Sequence, residues 1–172
     1  MTKLGVAVST WLPDSSRLLF TIQLSAVLLL ALVAGATFGI WRGYNPAAYS
    51  PRAFLEVHQG AVLGLNTLLP VLGLVANLLT LLLVVRFYGS KGFPLYAAAL
   101  ALMVAAGLLT RFGNQPLNAI VMKWTPDTMP ANWAAIRDSW WSWHIMRTGA
   151  SIASLACLIA AVLMNRSAVS PS

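Results

Sequence analysis

Charge is scarce in this chain, and acidic charge most of all: its 172 residues include four Asp or Glu and eleven Lys or Arg, 9% charged in total. A soluble domain carries about 25% charged residues, so too few polar side chains are present to coat a water-facing surface. With 59% hydrophobic residues and a mean hydropathy of +0.76, the composition excludes a disordered chain and a water-soluble enzyme. It leaves a polytopic membrane protein. Cysteine is nearly missing as well. Cys157 stands alone in an apolar run, which excludes a disulfide framework and a thiolate metal cluster. No run of Lys or Arg exists, so the net charge of +7 does not point to nucleic acid. The cations stand singly at the edges of apolar blocks, as Arg17, Arg42, Arg86, Arg111 and Arg166 do. That is the flanking pattern of membrane spans.

What is present is long apolar sequence. Charge-free stretches run over 18–41, 59–85, 92–110 and 148–165, and place spans at about 18–41, 59–85, 92–112 and 144–165. Each is long enough for a helix to cross about 30 Å of hydrocarbon, and a helix satisfies its own backbone groups in lipid. The expected fold is an all-α, four-transmembrane-helix bundle, a single membrane domain over 1–172, with a partly helical loop between spans three and four. The first block is too long for the apolar core of a cleaved signal peptide and is expected to be a retained anchor. Four crossings put both termini on one face, with Lys3, Arg17, Arg86, Lys91 and Arg166. The opposite, loop face carries Arg42, Arg52, Arg111, Lys123, Arg137 and Arg147. If Arg111 and Arg147 belong to a site instead of a flank, the positive-inside rule favours termini in the cytoplasm.

Polar residues inside spans normally face the bundle interior. Span two carries His58, Val62, Asn66, Pro70, Gly73 and Asn77 at steps of three or four, one helix face. Pro70 is expected to kink that helix and release the Asn66 carbonyl. At the end of span three, Arg111, Asn114 and Asn118 share a face if the helix continues, although Gly113 and Pro116 predict a break. In the loop that follows, 124–130 reads as a turn with Asp127 or Thr128 available as a helix cap. A helix is expected from Ala131 into span four, its face formed by Arg137, Trp140, His144, Arg147, Ser151 and Ser154. Five tryptophans between 124 and 143 read either as an interfacial belt or as a partial aromatic pocket. Topology brings His58, Asn66, Arg111, Asn114, His144, Arg147 and Ser151 to similar depth on the loop face, where they can line one cavity. Glu56, Asp127 and Asp138 lie on that side too, while the terminal face has only Asp14.

Two blocks carry a resemblance. Gly113-Asn114-Gln115-Pro116-Leu117-Asn118 and Trp140-Trp141-Ser142-Trp143-His144-Ile145-Met146-Arg147 resemble the hallmarks of the anthrone-oxygenase-like family of four-helix membrane proteins. The likeness extends from about Leu18 to Met164. It implies oxidation of an anthrone or a related hydrophobic polycyclic phenol or quinol by molecular oxygen, with no metal or flavin cofactor. It also implies roles for residues. His144 would be the base, Arg111 and Arg147 would hold the oxyanion, and Asn114 and Asn118 would donate hydrogen bonds. Trp140 and Trp143 would stack on a planar substrate, with His58, Asn66 and Ser151 completing the binding site. Many members are bacterial, which implies the inner membrane. The expected partners are the lipid bilayer, a hydrophobic small-molecule substrate and oxygen, not nucleic acid, and self-association is left open. Two other readings compete: a non-enzymatic membrane binder or assembly component, and a metal-dependent oxidoreductase ligated by His58, His144 and an acid.

Overall fold

The computed structural model describes residues 15–167; Lys3 and Asp14 lie outside them. Helix α1 is Ser15–Gly43, followed by a short 3-10 turn at Pro46–Ala48. Helix α2 is Pro51–Leu65, α3 is Leu68–Arg86 and α4 is Phe93–Leu109. A π-turn at Thr110–Asn114 joins α4 to α5, Gln115–Val121, and α6 is Trp133–Ser167. The described residues contain no strand. Four stretches are long and apolar enough to cross a membrane: Ser16–Ala48, Leu68–Arg86, Phe93–Val121 and Trp133–Asn165. Leu28, Leu32, Leu74 and Leu163 stay exposed on their outer faces, as lipid-facing side chains should.

Local sequence explains the element ends. Ser50 caps α2 by accepting from the Ala53 amide at 3.3 Å, with Pro51 in the first turn. Asn45 does the same for the 3-10 turn, accepting from the Ala47 amide. Gly89, at φ +77°, makes the tight turn between α3 and α4. Span two is not one helix. It breaks after Leu65, and the helix resumes at Leu68 with Pro70 in its first turn. Pro70 has no N–H to return to the Asn66 carbonyl, so the helix is interrupted over Asn66 and Thr67 alone, both of which keep right-handed helical backbone angles. Span three does the reverse. The break expected at Gly113 and Pro116 is replaced by one widened turn, in which the Gln115 amide donates to the Thr110 carbonyl five residues back. Thr128 is no helix cap: its hydroxyl accepts from the Thr125 amide at 2.8 Å and closes the turn, and α6 starts only at Trp133.

Two apolar clusters hold the bundle. Toward the terminal face, Ala26 and Leu30 of α1, Ala76 and Leu83 of α3, Tyr96 and Ala99 of α4, and Leu158 and Ala161 of α6 are buried together. The alanines let helices approach closely, which matters where lipid gives no hydrophobic drive to associate. Ser154 adds an interhelical bond to the Ala99 carbonyl at 2.6 Å. Toward the loop face, Tyr44, Phe54, Leu55, Val121 and Trp140 form the second cluster. Gln59 ties α2 to it by donating to the Val121 and Trp124 carbonyls, both at 3.0 Å. The polar residues of the spans concentrate between these clusters.

Candidate functional site

Two cavities occupy that intermediate zone. The first, about 150 Å³, is bounded by Tyr44, His58, Asn66, Asn118, Trp140 and Arg147 together with apolar residues of α2 and α3. The second, about 260 Å³, is bounded by Asn77, Arg111, Gln115, Arg147 and Ser151 together with apolar residues of α1, α3 and α4. Leu69, Pro70, Thr110 and Arg147 border both. The span-two stripe therefore faces cavity along its whole length: His58, Val62, Asn66 and Pro70 on the first, then Pro70, Gly73 and Asn77 on the second.

A hydrogen-bonded ladder fixes the first cavity's wall. Asn118 accepts from Trp140 Nε1 at 2.7 Å and donates to Asn66 Oδ1 at 3.0 Å. Asn114 donates to the Trp140 carbonyl at 3.0 Å. These bonds join α5, α6 and the α2–α3 break, and they set the indole ring between the histidines: His58 meets it edge-on at 4.7 Å and His144 stacks on it at 5.1 Å. His58 is buried, and its Nε2 has no hydrogen-bond partner among the described residues. His58 stands on α2, the 15-residue segment before the break, which is not among the four stretches long enough to cross the membrane. Burial pushes the His58 imidazole down to about 4, with the nearby Arg147 charge acting in the same direction. The ring is neutral at pH 7.

His144 is placed differently. It is fully buried and borders neither cavity. Its Nε2–H donates to the Thr37 carbonyl at 3.0 Å, which leaves Nδ1 to accept from Arg147 Nη2 at 2.9 Å and Nε at 3.2 Å. Both ring nitrogens are engaged and the tautomer is set by the Thr37 carbonyl. Two hydrogen bonds to one imidazole nitrogen fix the orientation of the Arg147 guanidinium. The guanidinium reaches Thr110 Oγ1 at 3.5 Å, and no carboxylate approaches it. Of the three acids described, Glu56 pairs with Arg52, Asp138 pairs with Arg137, and Asp127 lies in the exposed turn. Arg147 is thus a partly buried cation with no counter-ion among the described residues, on the wall shared by two cavities. Such a site favours an anion.

The remaining candidates divide. Asn66, Asn118, Trp140 and His58 converge on the first cavity, and Ser151 and Arg111 on the second. Arg111 is exposed at that cavity's edge, off the face of Asn114 and Asn118; a π-turn carries more residues per revolution and moves it farther round the helix. Asn114 borders neither cavity and acts through Trp140. Trp143 lies against Gly113, where a Cβ would overlap its ring. Trp124, Trp133 and Trp141 pack around the second cluster, and of the five tryptophans Trp140 alone borders either of these two cavities. Tyr44 and Thr110 line the site without a sequence signal, and the Thr37 carbonyl, being backbone, has none to give. Among the described residues no group of three His, Cys, Asp or Glu comes together to hold a metal ion.

Fold and site together define a four-helix membrane protein with a cationic, partly aromatic pocket between its helices. The anthrone oxygenase family model matches residues 60–157, and the chain belongs to that family. The match includes Asn66, Asn118, Trp140, His144 and Arg147; Tyr44 and His58 precede it. No curated protein and no solved structure matches the chain.

Proposed function

We propose that this protein is a membrane-embedded oxygenase that converts an anthrone, or a related polycyclic phenol, to the corresponding quinone with molecular oxygen. The observation that carries the reading is Arg147, a guanidinium with no described carboxylate beside it, on the wall common to both cavities. A cavity of about 150 Å³ holds a single benzene ring, so three fused rings exceed the first cavity and must extend past Arg147 toward the second. The central ring, which bears the carbonyl and the acidic methylene, then lies beside the guanidinium.

Neutral His58 takes a methylene proton, and the electron pair moves onto the carbonyl oxygen as an enolate held by Arg147. The carbanion form adds to oxygen, making a carbon–oxygen bond, and regains a proton as a hydroperoxide. Loss of the remaining hydrogen with cleavage of the oxygen–oxygen bond leaves a second carbonyl and water. One oxygen atom enters the product and the other leaves in water, so oxygen is the only oxidant. A base titrating near 4 is weak for a carbon acid, so most of the acceleration falls to enolate stabilisation by Arg147. The Asn118–Trp140 ladder holds the ring platform, and His144 holds the guanidinium. With Arg111 and Arg147 assigned to the site, the remaining cations favour cytoplasmic termini, and the bacterial inner membrane is the location the family resemblance implies.

Oxygen uptake by the purified protein in detergent, with anthrone as substrate, tests the reading. Wild type is expected to consume oxygen and release anthraquinone, and Arg147→Met to lose about 10²–10³ in kcat, the usual effect of deleting an oxyanion donor. Equal turnover by the two proteins refutes it. No uptake by wild type across a panel of anthrones and quinols favours a non-enzymatic binder.

A further inference from the structure

The second cavity carries more polar chemistry than the oxidation consumes. Arg111 and Arg147 both border it, no described carboxylate neutralises either, and Gln115 and Ser151 stand beside them. Ser151 already donates to the Arg147 carbonyl at 2.9 Å. Deeper along the span, Asn77 Oδ1 is buried with no hydrogen-bond partner among the described residues. An unpaired acceptor in hydrocarbon is costly, by about 1–3 kcal/mol, and two cations at one cavity are costlier still. The cavity is also the larger of the pair, at about 260 Å³ against about 150 Å³. Its wall includes the exposed Leu74 and Gly107, on the side where α3 and α4 face lipid.

We infer that this second cavity reads an acidic substituent on the terminal ring of the substrate, so that the substrate class is polycyclic phenolic acids and not neutral anthrones alone. The inference rests on the proposed oxygenase reading for the identity of the ring system. The oxyanion of the acid lies between Arg111 and Arg147, and a phenolic hydroxyl on the same body donates to Asn77 Oδ1. Arg147 then serves both ends, holding the enolate on one side and the acid on the other. Arg111, which touches only the second cavity, determines specificity. Its exposed position at the rim lets it meet the acid first as the ligand enters from the bilayer.

The measurement needs no turnover. Quenching of tryptophan fluorescence, on the full chain in a neutral detergent, gives the affinities of anthraquinone-2-carboxylate and of anthraquinone. The carboxylate is expected to bind about tenfold more tightly, as a charge-assisted contact should. Arg111→Gln is expected to bring the carboxylate down to the affinity of anthraquinone, and Arg111→Lys to keep the preference. Equal binding by wild type, or a preference that survives in Arg111→Gln, overturns the inference. Both ligands binding alike leaves the oxygenase reading standing, whereas neither binding overturns both. Nanodiscs separate the two sources of an oxyanion. A preference seen in both phosphatidylcholine and phosphatidylglycerol supports the substrate assignment. Loss in phosphatidylglycerol alone assigns the site to a lipid phosphate and overturns it.

Discussion

Replacing His144 by leucine separates the two histidines by role. The substitution removes a hydrogen bond from Nε2 to the Thr37 carbonyl and the two bonds that Arg147 makes to Nδ1. The first is an ordinary bond of about 0.5–1.5 kcal/mol, and the loss of a charged donor's partner costs about 1.5–3 kcal/mol. Leucine still packs against the faces of Trp140 and Trp141, on which the imidazole stacks. The expected destabilisation is therefore about 2–4 kcal/mol, read as a fall of several degrees in the thermal midpoint of the detergent-solubilised protein. Turnover should drop only about tenfold, because Arg147 loses its orientation and keeps its charge. A catalytic base is worth about 10²–10⁴ in rate; for a base as weak as His58 the loss in His58→Leu belongs at the lower end, about 10², still well above the tenfold expected of His144→Leu. If His144→Leu leaves the thermal midpoint unchanged and abolishes oxygen uptake, then His144 is the base and the assignment here is wrong.

Further predictions test other parts of the arrangement. His58 titrates lower in the folded protein than in the unfolded chain, so acid favours unfolding. Its contribution to stability is complete above about pH 6.5 and is lost as pH falls toward 4, by about 3 kcal/mol at the lower end; thermal unfolding across that range should show the loss, and His58→Leu should remove it. The same ionisation gives kcat/KM a plateau above about pH 5 and a tenfold fall per unit below 4. Gly113→Ala forces a methyl against the Trp143 ring and should destabilise by about 1–3 kcal/mol. Gly92→Ala meets the flexible end of Asn165 and should cost less; equal midpoints for the two variants would contradict the packing argument. Asn118→Leu strands the Trp140 indole N–H and Asn66 Oδ1, and should lower stability by about 2–4 kcal/mol while blunting ligand-induced changes in fluorescence.

Much of this architecture was legible in the sequence, for a physical reason. Lipid forbids charge over a helix length, so the four spans stood out as gaps between Arg and Lys residues, and the stripe from His58 to Asn77 marked the inward face. The Pro70 interruption was readable because a missing N–H has one consequence in hydrocarbon. Pro116 has the same chemistry and did not break its helix, since a widened turn at Thr110–Asn114 absorbed it; local sequence does not decide between those outcomes, but packing against α6 does. The reading of His144 as base came with the family resemblance and with the near-neutral pKa of a free imidazole. Its partners in the fold include the Thr37 carbonyl, 107 residues away, and no side-chain pattern reports a backbone acceptor. The edge-on contact of His58 with Trp140 is equally invisible along the chain, because it joins residues 82 apart on α2 and α6.

The interruption between α2 and α3 also bears on how the protein fits its bilayer. A continuous helix over 51–86 would measure about 54 Å, close to twice the hydrocarbon thickness. Alone, α3 measures about 28 Å and matches it. The helix that carries His58 is thereby released from hydrophobic matching, and it is seated by Gln59, the Asn66–Asn118 bond and the Trp140 contact. Thinning the membrane tilts α3, and thickening it draws the bilayer in around α3, while α2 stays with the α5 end and the start of α6 to which it is tied. Transfer between short-chain and long-chain lipids should therefore change the mounting of the bundle and leave the pocket's geometry intact.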